Sequence, residues 1–161
     1  MQIRKAEQSD IAQITRVIQD SYSTVAKQYD LTPANCPKHP SNCTAQWIER
    51  DFARGVHYYV VESDDKILGC MALEKASEHT CYLERLAVIP EQRNRGVGMM
   101  LVNDFIQKAS EIGVSTIGIG IISKQDNLKR WYEKLGFIKT GEKTFDHLPF
   151  DVAFMEYHIQ K

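Results

Sequence analysis

Apolar and polar positions along the chain change period several times, and each change marks an element. Gln2 to Ala6 reads as a short strand, after which Ile11, Ile14, Val17 and Ile18 recur at helical spacing behind Ser9 or Asp10 as a cap. Asp30 to Cys43 carries Pro33, Pro37 and Pro40, each lacking a backbone donor, and is expected to be a loop. Thr44 then caps a second helix through Trp47, Ile48 and Phe52 that Gly55 ends. From His57 the period becomes that of strands. His57 to Glu62, Ile67 to Glu74 and Thr80 to Ile89 are rich in branched and aromatic residues and predict an antiparallel meander. Gly96 to Ile112 returns to helical spacing with Leu101, Val102, Phe105, Ile106 and Ala109 on one face, stopped by Gly113. A strand over Val114 to Ile122, a helix over Asp126 to Leu135 and a hairpin of Phe137 to Phe145 with Phe150 to Ile159 complete the order.

The expected fold is therefore α+β: about seven strands in one mostly antiparallel sheet, with four helices, in a single domain spanning residues 1–161. A content of 43% hydrophobic and 25% charged residues suits a globular chain, and no apolar run reaches the roughly 20 residues of a membrane helix. The amino terminus turns polar before any signal-like segment forms, so a cytoplasmic location is the expectation, with the four cysteines kept as thiols. Twenty basic against 21 acidic residues give a net charge of −1, which supplies no general attraction to nucleic acid or to an anionic membrane. Any anion site must be local.

One segment has the makings of such a site: Leu86-Ala87-Val88-Ile89-Pro90-Glu91-Gln92-Arg93-Asn94-Arg95-Gly96-Val97-Gly98-Met99. It runs from a strand through a glycine turn into a helix. A helix N-terminus exposes unpaired N–H groups with about half a positive charge, glycines leave room for a phosphate, and Arg93 and Arg95 add full charges. The Walker pattern is absent, and a dinucleotide fingerprint would need a third glycine where Leu101 stands, so another phosphate carrier is implied.

Arg93-Asn94-Arg95-Gly96-Val97-Gly98 resembles the Arg/Gln-x-x-Gly-x-Gly/Ala hallmark of the GCN5-related N-acetyltransferases, and Tyr132-Glu133-Lys134-Leu135-Gly136-Phe137 resembles that family's Tyr-Glu-Lys-x-Gly-Phe run. Both stand in the right order, and the element order extends the resemblance over nearly the whole chain. It implies a splayed central sheet, acetyl-coenzyme A as acetyl donor, and a primary amine as acceptor. The loop and helix start, residues Arg93 to Met99, would hold the pyrophosphate. Leu86, Ala87 and Val88 would lie along the pantetheine arm, with backbone groups of Leu86 and Val88 bonded to it. The family often has Asn seven residues before the motif tyrosine; Gln125 stands there and Asn127 two residues on, so which amide touches the cofactor stays open.

The chemistry asks for a base, since an alkylamine of pKa about 10.4 is nucleophilic in roughly one molecule in a few thousand at pH 7. Glu84, two residues before Leu86 and by alternation on its face, is the candidate base acting through water, with Glu74 and Tyr82 in reserve. Val88 N–H is the candidate donor to the oxyanion that forms on amine attack. Tyr132 occupies the place of the family's usual general acid, suited to a departing thiolate whose parent pKa is about 8.5. Arg130 and Lys134 read as solvated charges or diffuse phosphate partners. Gly118 and Gly120 leave one strand face bare at two positions, for the coenzyme or a helix to approach.

Cys36, His39 and Cys43 form Cys-x2-His-x3-Cys, but a structural zinc site wants four ligands and no close fourth is evident, so no metal is expected. Joining the first two helices, the Pro-rich loop is instead a candidate wall for the amine pocket. His57, His79, His147 and His158 stand singly without a visible nucleophile. Acidic residues such as Glu74, Glu84, Asp146 and Asp151 could favour a cationic acceptor, and polyamine, aminoglycoside, amino acid and protein N-terminus all stay open. A homodimer through the C-terminal strand edge is plausible. The competing class is a sensor or docking module that binds acyl-coenzyme A without turnover, against which the retained Tyr132 argues.

Overall fold

In the computed structural model, which describes residues 1–160, the apolar periods become seven strands and four helices. They are β1 (Gln2–Lys5), α1 (Ile11–Gln28), α2 (Ala45–Ala53), β2 (His57–Ser63), β3 (Lys66–Lys75), β4 (Thr80–Val88), α3 (Val97–Glu111), β5 (Thr116–Ile122), α4 (Asp126–Lys134), β6 (Ile138–Lys143) and β7 (Val152–His158). Gly55, Gly113 and Gly136 follow helices at positive φ of 83°, 87° and 107°, the conformation expected of helix-ending glycines. Asp10 occupies the N-cap position of α1 but does not cap it. Its carboxylate is taken instead by Arg4, at 2.8 and 2.9 Å, and by the Glu7 N–H at 2.7 Å.

All strands join one sheet in the order β1-β2-β3-β4-β5-β7-β6. Every pairing is antiparallel except β4 with β5. Tyr58 and Tyr59 are neighbours on β2 and point to opposite faces. Tyr58 donates to Asp51 of α2, while Lys108 of α3 lies 4.8 Å from the centre of the Tyr59 ring, so α2 and α3 cover opposite faces. Side chains from both layers, Ile14, Ile18, Ile48, Leu101 and Phe105 among them, are sealed against the strands. No helix among the described residues is long and apolar enough to cross a membrane.

Two irregularities break the middle of the sheet. The parallel β4–β5 pairing holds only at Thr80–Thr116, Cys81–Ile117 and Tyr82–Gly118, after which the strands diverge and the sheet forks. Just past the fork β4 carries a bulge: Glu84 faces Ala72 but Ala87 faces Cys70, and Arg85 takes a φ of +51°. Glu84 and Ala87 therefore share a register face, and the simple alternation expected to put Glu84 and Leu86 on one face is interrupted.

Candidate active site

The fork opens into a groove of about 1110 Å³ floored by both strands, with the start of α3 and α4 on one side and α1 with the Pro-rich loop on the other. Of the residues singled out from the sequence, Glu84, Leu86, Val88, Arg93, Asn94, Gly96, Gly98, Met99, Gln125 and Tyr132 line it. Ala87 and Val97 are buried beneath it and Arg95 is exposed beside it. Asn127 lies outside the groove, bonded to Arg130. Of the two candidate amides, Gln125 is the one that reaches the groove.

At the α3 end the chain makes a cradle. Asn94 and Gly96 take positive φ of 62° and 82°, and the first helical hydrogen bond runs from Met100 N–H to Gly96 C=O at 3.0 Å. The N–H groups of Val97, Gly98 and Met99 are left outside the helical ladder, and a Cβ placed on Gly96 would meet nothing within 4 Å. Gly98 lines the groove and also lies close to α4: the Trp131 ring would stand 3.3 Å from a Cβ there. Arg93 is already engaged, its guanidinium donating to Ser21 C=O at 2.6 Å, Thr24 Oγ1 at 2.9 Å and Ser21 Oγ at 3.3 Å. It ties the cradle to α1.

The free edge of β4 is met by the same helix. Tyr22 Oη donates to Leu86 C=O at 3.0 Å, and Val88 N–H lies 3.4 Å from Ser21 Oγ. Sequence reasoning misses both, because nothing in an amphipathic period marks which hydroxyls will cross to a strand edge. The two glycines of β5 part company: at Gly118 the space is filled by the sheet itself, the Tyr82 ring lying 3.0 Å from a Cβ there, whereas Gly120 is exposed and lines the groove, with Val152 and Phe154 of β7 beside it.

Two titratable groups face the groove in opposite states. Burial, then repulsion from Glu74, raises the Glu84 carboxyl to about 7, with Arg85 pulling weakly the other way. Glu74 itself is held by Arg54 at 2.6 Å, and Arg54 reaches on to the buried Asp51 at 2.9 Å. Asp51 also accepts from Tyr58 Oη at 2.5 Å and faces Arg85 at 3.4 Å. Tyr132 is 5% exposed, its ring set edge-on to Trp131 and Phe137 at 4.9 and 5.2 Å, and burial pushes its hydroxyl well above the usual tyrosine range.

The Pro-rich loop forms the remaining wall through Lys38, His39 and Pro40. Its three possible metal ligands serve separate surroundings. Cys36 packs with Leu31 and Ile122, Cys43 Sγ accepts from Arg85 at 3.8 Å, and His39 stacks edge-on to Tyr22 at 5.7 Å. No three His, Cys, Asp or Glu side chains among the described residues come together as a metal would require.

A model of the acetyltransferase (GNAT) family matches residues 18–137, and the chain belongs to that family. It is 32% identical over 103 residues to an uncharacterized N-acetyltransferase, YvbK, of Bacillus subtilis, covering 63% of this chain and 66% of that one. Over 95 residues it is 30% identical to an uncharacterized N-acetyltransferase of Schizosaccharomyces pombe, covering 58% of each. The matches thus span two thirds or less of these relatives. In fold it is similar to the ribosomal-protein-S18-alanine N-acetyltransferase of Escherichia coli (TM-score 0.79, 15% identity, 99% and 94% of the two chains). It is also similar to YncA of Salmonella typhimurium, solved with its cofactor acetyl-CoA (TM-score 0.75, 19% identity, 100% and 95%).

Proposed function

We propose that this chain is an N-acetyltransferase that moves the acetyl group of acetyl-coenzyme A to a primary amine within a ternary complex. The observation that carries the reading is the meeting of Glu84 and the buried Tyr132 in one groove beside an N–H cradle, burial raising the pKa of both groups.

The cradle and fork fit the donor. Gly96, Gly98 and the free N–H groups of Val97 to Met99 would hold its pyrophosphate, with Arg93 and Gln125 at the rim. The edge of β4 beyond Tyr82, which β5 leaves unpaired, would hold the pantetheine through Leu86 and Val88. The donor supplies an acyl group already activated as a thioester.

Glu84 draws the proton from the bound ammonium through water. A carboxylate of pKa about 7 is largely ionised above neutrality yet basic enough to receive that proton. Val88 N–H, now only 3.4 Å from Ser21 Oγ, is a poorly satisfied donor suited to the acyl oxygen as charge grows there. Tyr132, kept neutral by burial, gives its proton to the sulfur as the C–N bond forms and the C–S bond breaks, the new amide nitrogen sheds its second proton to groove water, and the tyrosinate is reprotonated from the same water.

Calorimetric titration with acetyl-coenzyme A, followed by release of free thiol on addition of amines, tests the reading. Micromolar binding with amine-dependent thiol release is the expected result. Binding without thiol release across a broad amine panel would make the chain a sensor instead.

A further inference from the structure

The wall formed by the Pro-rich loop holds a histidine that the proton transfers do not use. His39 is 6% exposed, yet it lines the groove. It is held from behind: Ser41 N–H donates to Nδ1 at 3.3 Å and Ser41 Oγ lies 2.7 Å from the same nitrogen. A backbone N–H can only donate, so Nδ1 carries the lone pair and the proton of the neutral ring sits on Nε2. Burial lowers the His39 pKa and no charged neighbour offsets it, which keeps the ring neutral near pH 7.

Nε2–H bonds to no described residue. It is not sealed from solvent either, because among the described residues the one buried side-chain polar atom without a hydrogen bond is Asp104 Oδ2, which faces Lys108 Nζ at 2.9 Å. The ring is thus more than nine-tenths buried, fixed in orientation, left with an unpartnered Nε2–H, and part of the groove wall. The loop behind it is braced: Asn42 Nδ2 donates to Cys36 C=O at 3.1 Å, His39 N–H to the same oxygen at 3.1 Å, and Gln19 Nε2 to Cys43 C=O at 2.6 Å. A braced loop presents a donor at little entropic cost on binding.

The charges of the groove narrow what that donor meets. Among the described residues Glu84 is the one carboxylate side chain lining it; of the cations lining it, Arg93 is bonded to α1 beside the cradle and Arg85 faces Asp51, which leaves Lys38 next to His39. A polyamine, with several positive charges to satisfy, is poorly matched to this set. An amine whose body ends in an oxygen acceptor is well matched, its nitrogen toward Glu84 and its oxygen toward Lys38 and His39.

Building on the acetyl-transfer reading, we infer that the acceptor is a primary amine bearing a carbonyl or carboxylate oxygen, and that His39 Nε2–H is the donor that binds that oxygen. His39 is thus a specificity residue, distinct from the proton-transfer pair.

The test compares α-amino acids, their amides and matched alkylamines lacking the oxygen, with spermidine alongside, on wild type, His39→Ala and His39→Gln. Wild type should favour the oxygen-bearing amines by tenfold or more in kcat/KM. His39→Ala should collapse that preference by raising KM for the oxygen-bearing amines at least tenfold more than for the matched alkylamines. His39→Gln, which keeps an N–H donor, should restore part of it and remains informative if the alanine variant does not fold. The free acids against the amides tell carboxylate from carbonyl. Nitrogen-detected NMR of the His39 ring should show the neutral Nε2–H form at pH 7, with a shift on adding the preferred amine. An Nδ1–H or cationic ring, a preference untouched by His39→Ala, or spermidine as the best acceptor would overturn the inference. Loss of both acetyl-coenzyme A binding and thiol release in wild type would instead take down the acetyl-transfer reading, and this inference with it.

Discussion

Tyr22 and Leu86, 64 residues apart in the chain, are joined by a hydrogen bond of 3.0 Å from the tyrosine hydroxyl to the strand carbonyl. That carbonyl belongs to the free edge of β4, so α1 already satisfies part of the surface that a ligand in the fork would use. Tyr22→Phe should lower stability by about 1 kcal/mol, the net worth of one such bond, while tightening acetyl-coenzyme A by about twofold to fivefold because one acceptor no longer has to be released. Thermal melts and calorimetry on the same preparation check both.

Glu84 sets a pH dependence whose sign is fixed. As the proton acceptor it must be ionised, so kcat/KM should rise with pH through an inflection near 7, and Glu84→Gln should lose that limb along with about 10²-fold to 10⁴-fold in rate. Glu74→Gln removes the repelling neighbour and should move the limb to lower pH. Stability runs the other way. A carboxyl whose folded pKa is raised contributes stability below its unfolded pKa and loses it as pH rises through about 7. Glu84→Gln should therefore melt higher than wild type at pH 8 and no higher at pH 4.

Tyr132→Phe keeps the ring packed against Trp131 and Phe137 and removes the hydroxyl alone. Its expected signature is a fall in kcat of about 10²-fold with an unchanged acetyl-coenzyme A Kd and a near-native melting temperature. A comparable loss of binding would mean that the hydroxyl holds the donor rather than protonating it.

Asp51 gathers Tyr58, Arg54 and Arg85 around one buried carboxylate. Asp51→Ala strands those partners and should cost about 3 kcal/mol in denaturant unfolding. Adding Tyr58→Phe to it should recover part of the loss, since one orphaned polar group is then removed.

The order of elements is legible in the sequence because each change of pattern is long enough to be unambiguous: Ile11, Ile14, Val17 and Ile18 can share a face only in a helix, and the short runs of β2 to β4, rich in branched and aromatic residues and bounded by turns, read as strands, β3 as a continuous apolar run buried on both faces. The cradle is legible because Gly96 must take a left-handed turn before α3. Its supports are not. The bulge at Arg85 has no glycine to announce it, and so the phase from Glu84 to Leu86 reads straight through. Gly118 looks like room for a ligand, yet Tyr82 fills the space beside it, a contact between strands that no single period encodes. His39 reads as a stray zinc ligand because its bond to Ser41 depends on how the prolines fold the loop back.

The fork after Tyr82 and Gly118 also has a mechanical side. Only three rungs, Thr80–Thr116 to Tyr82–Gly118, stitch the four-strand half of the sheet to the three-strand half. The seam is the shortest strand pairing of the sheet, and a ligand lying across it would act as a brace for both halves. At a hundred times its Kd such a brace adds about 2.7 kcal/mol to folding. The population of intact protein thereby becomes a gauge of how much donor is at hand.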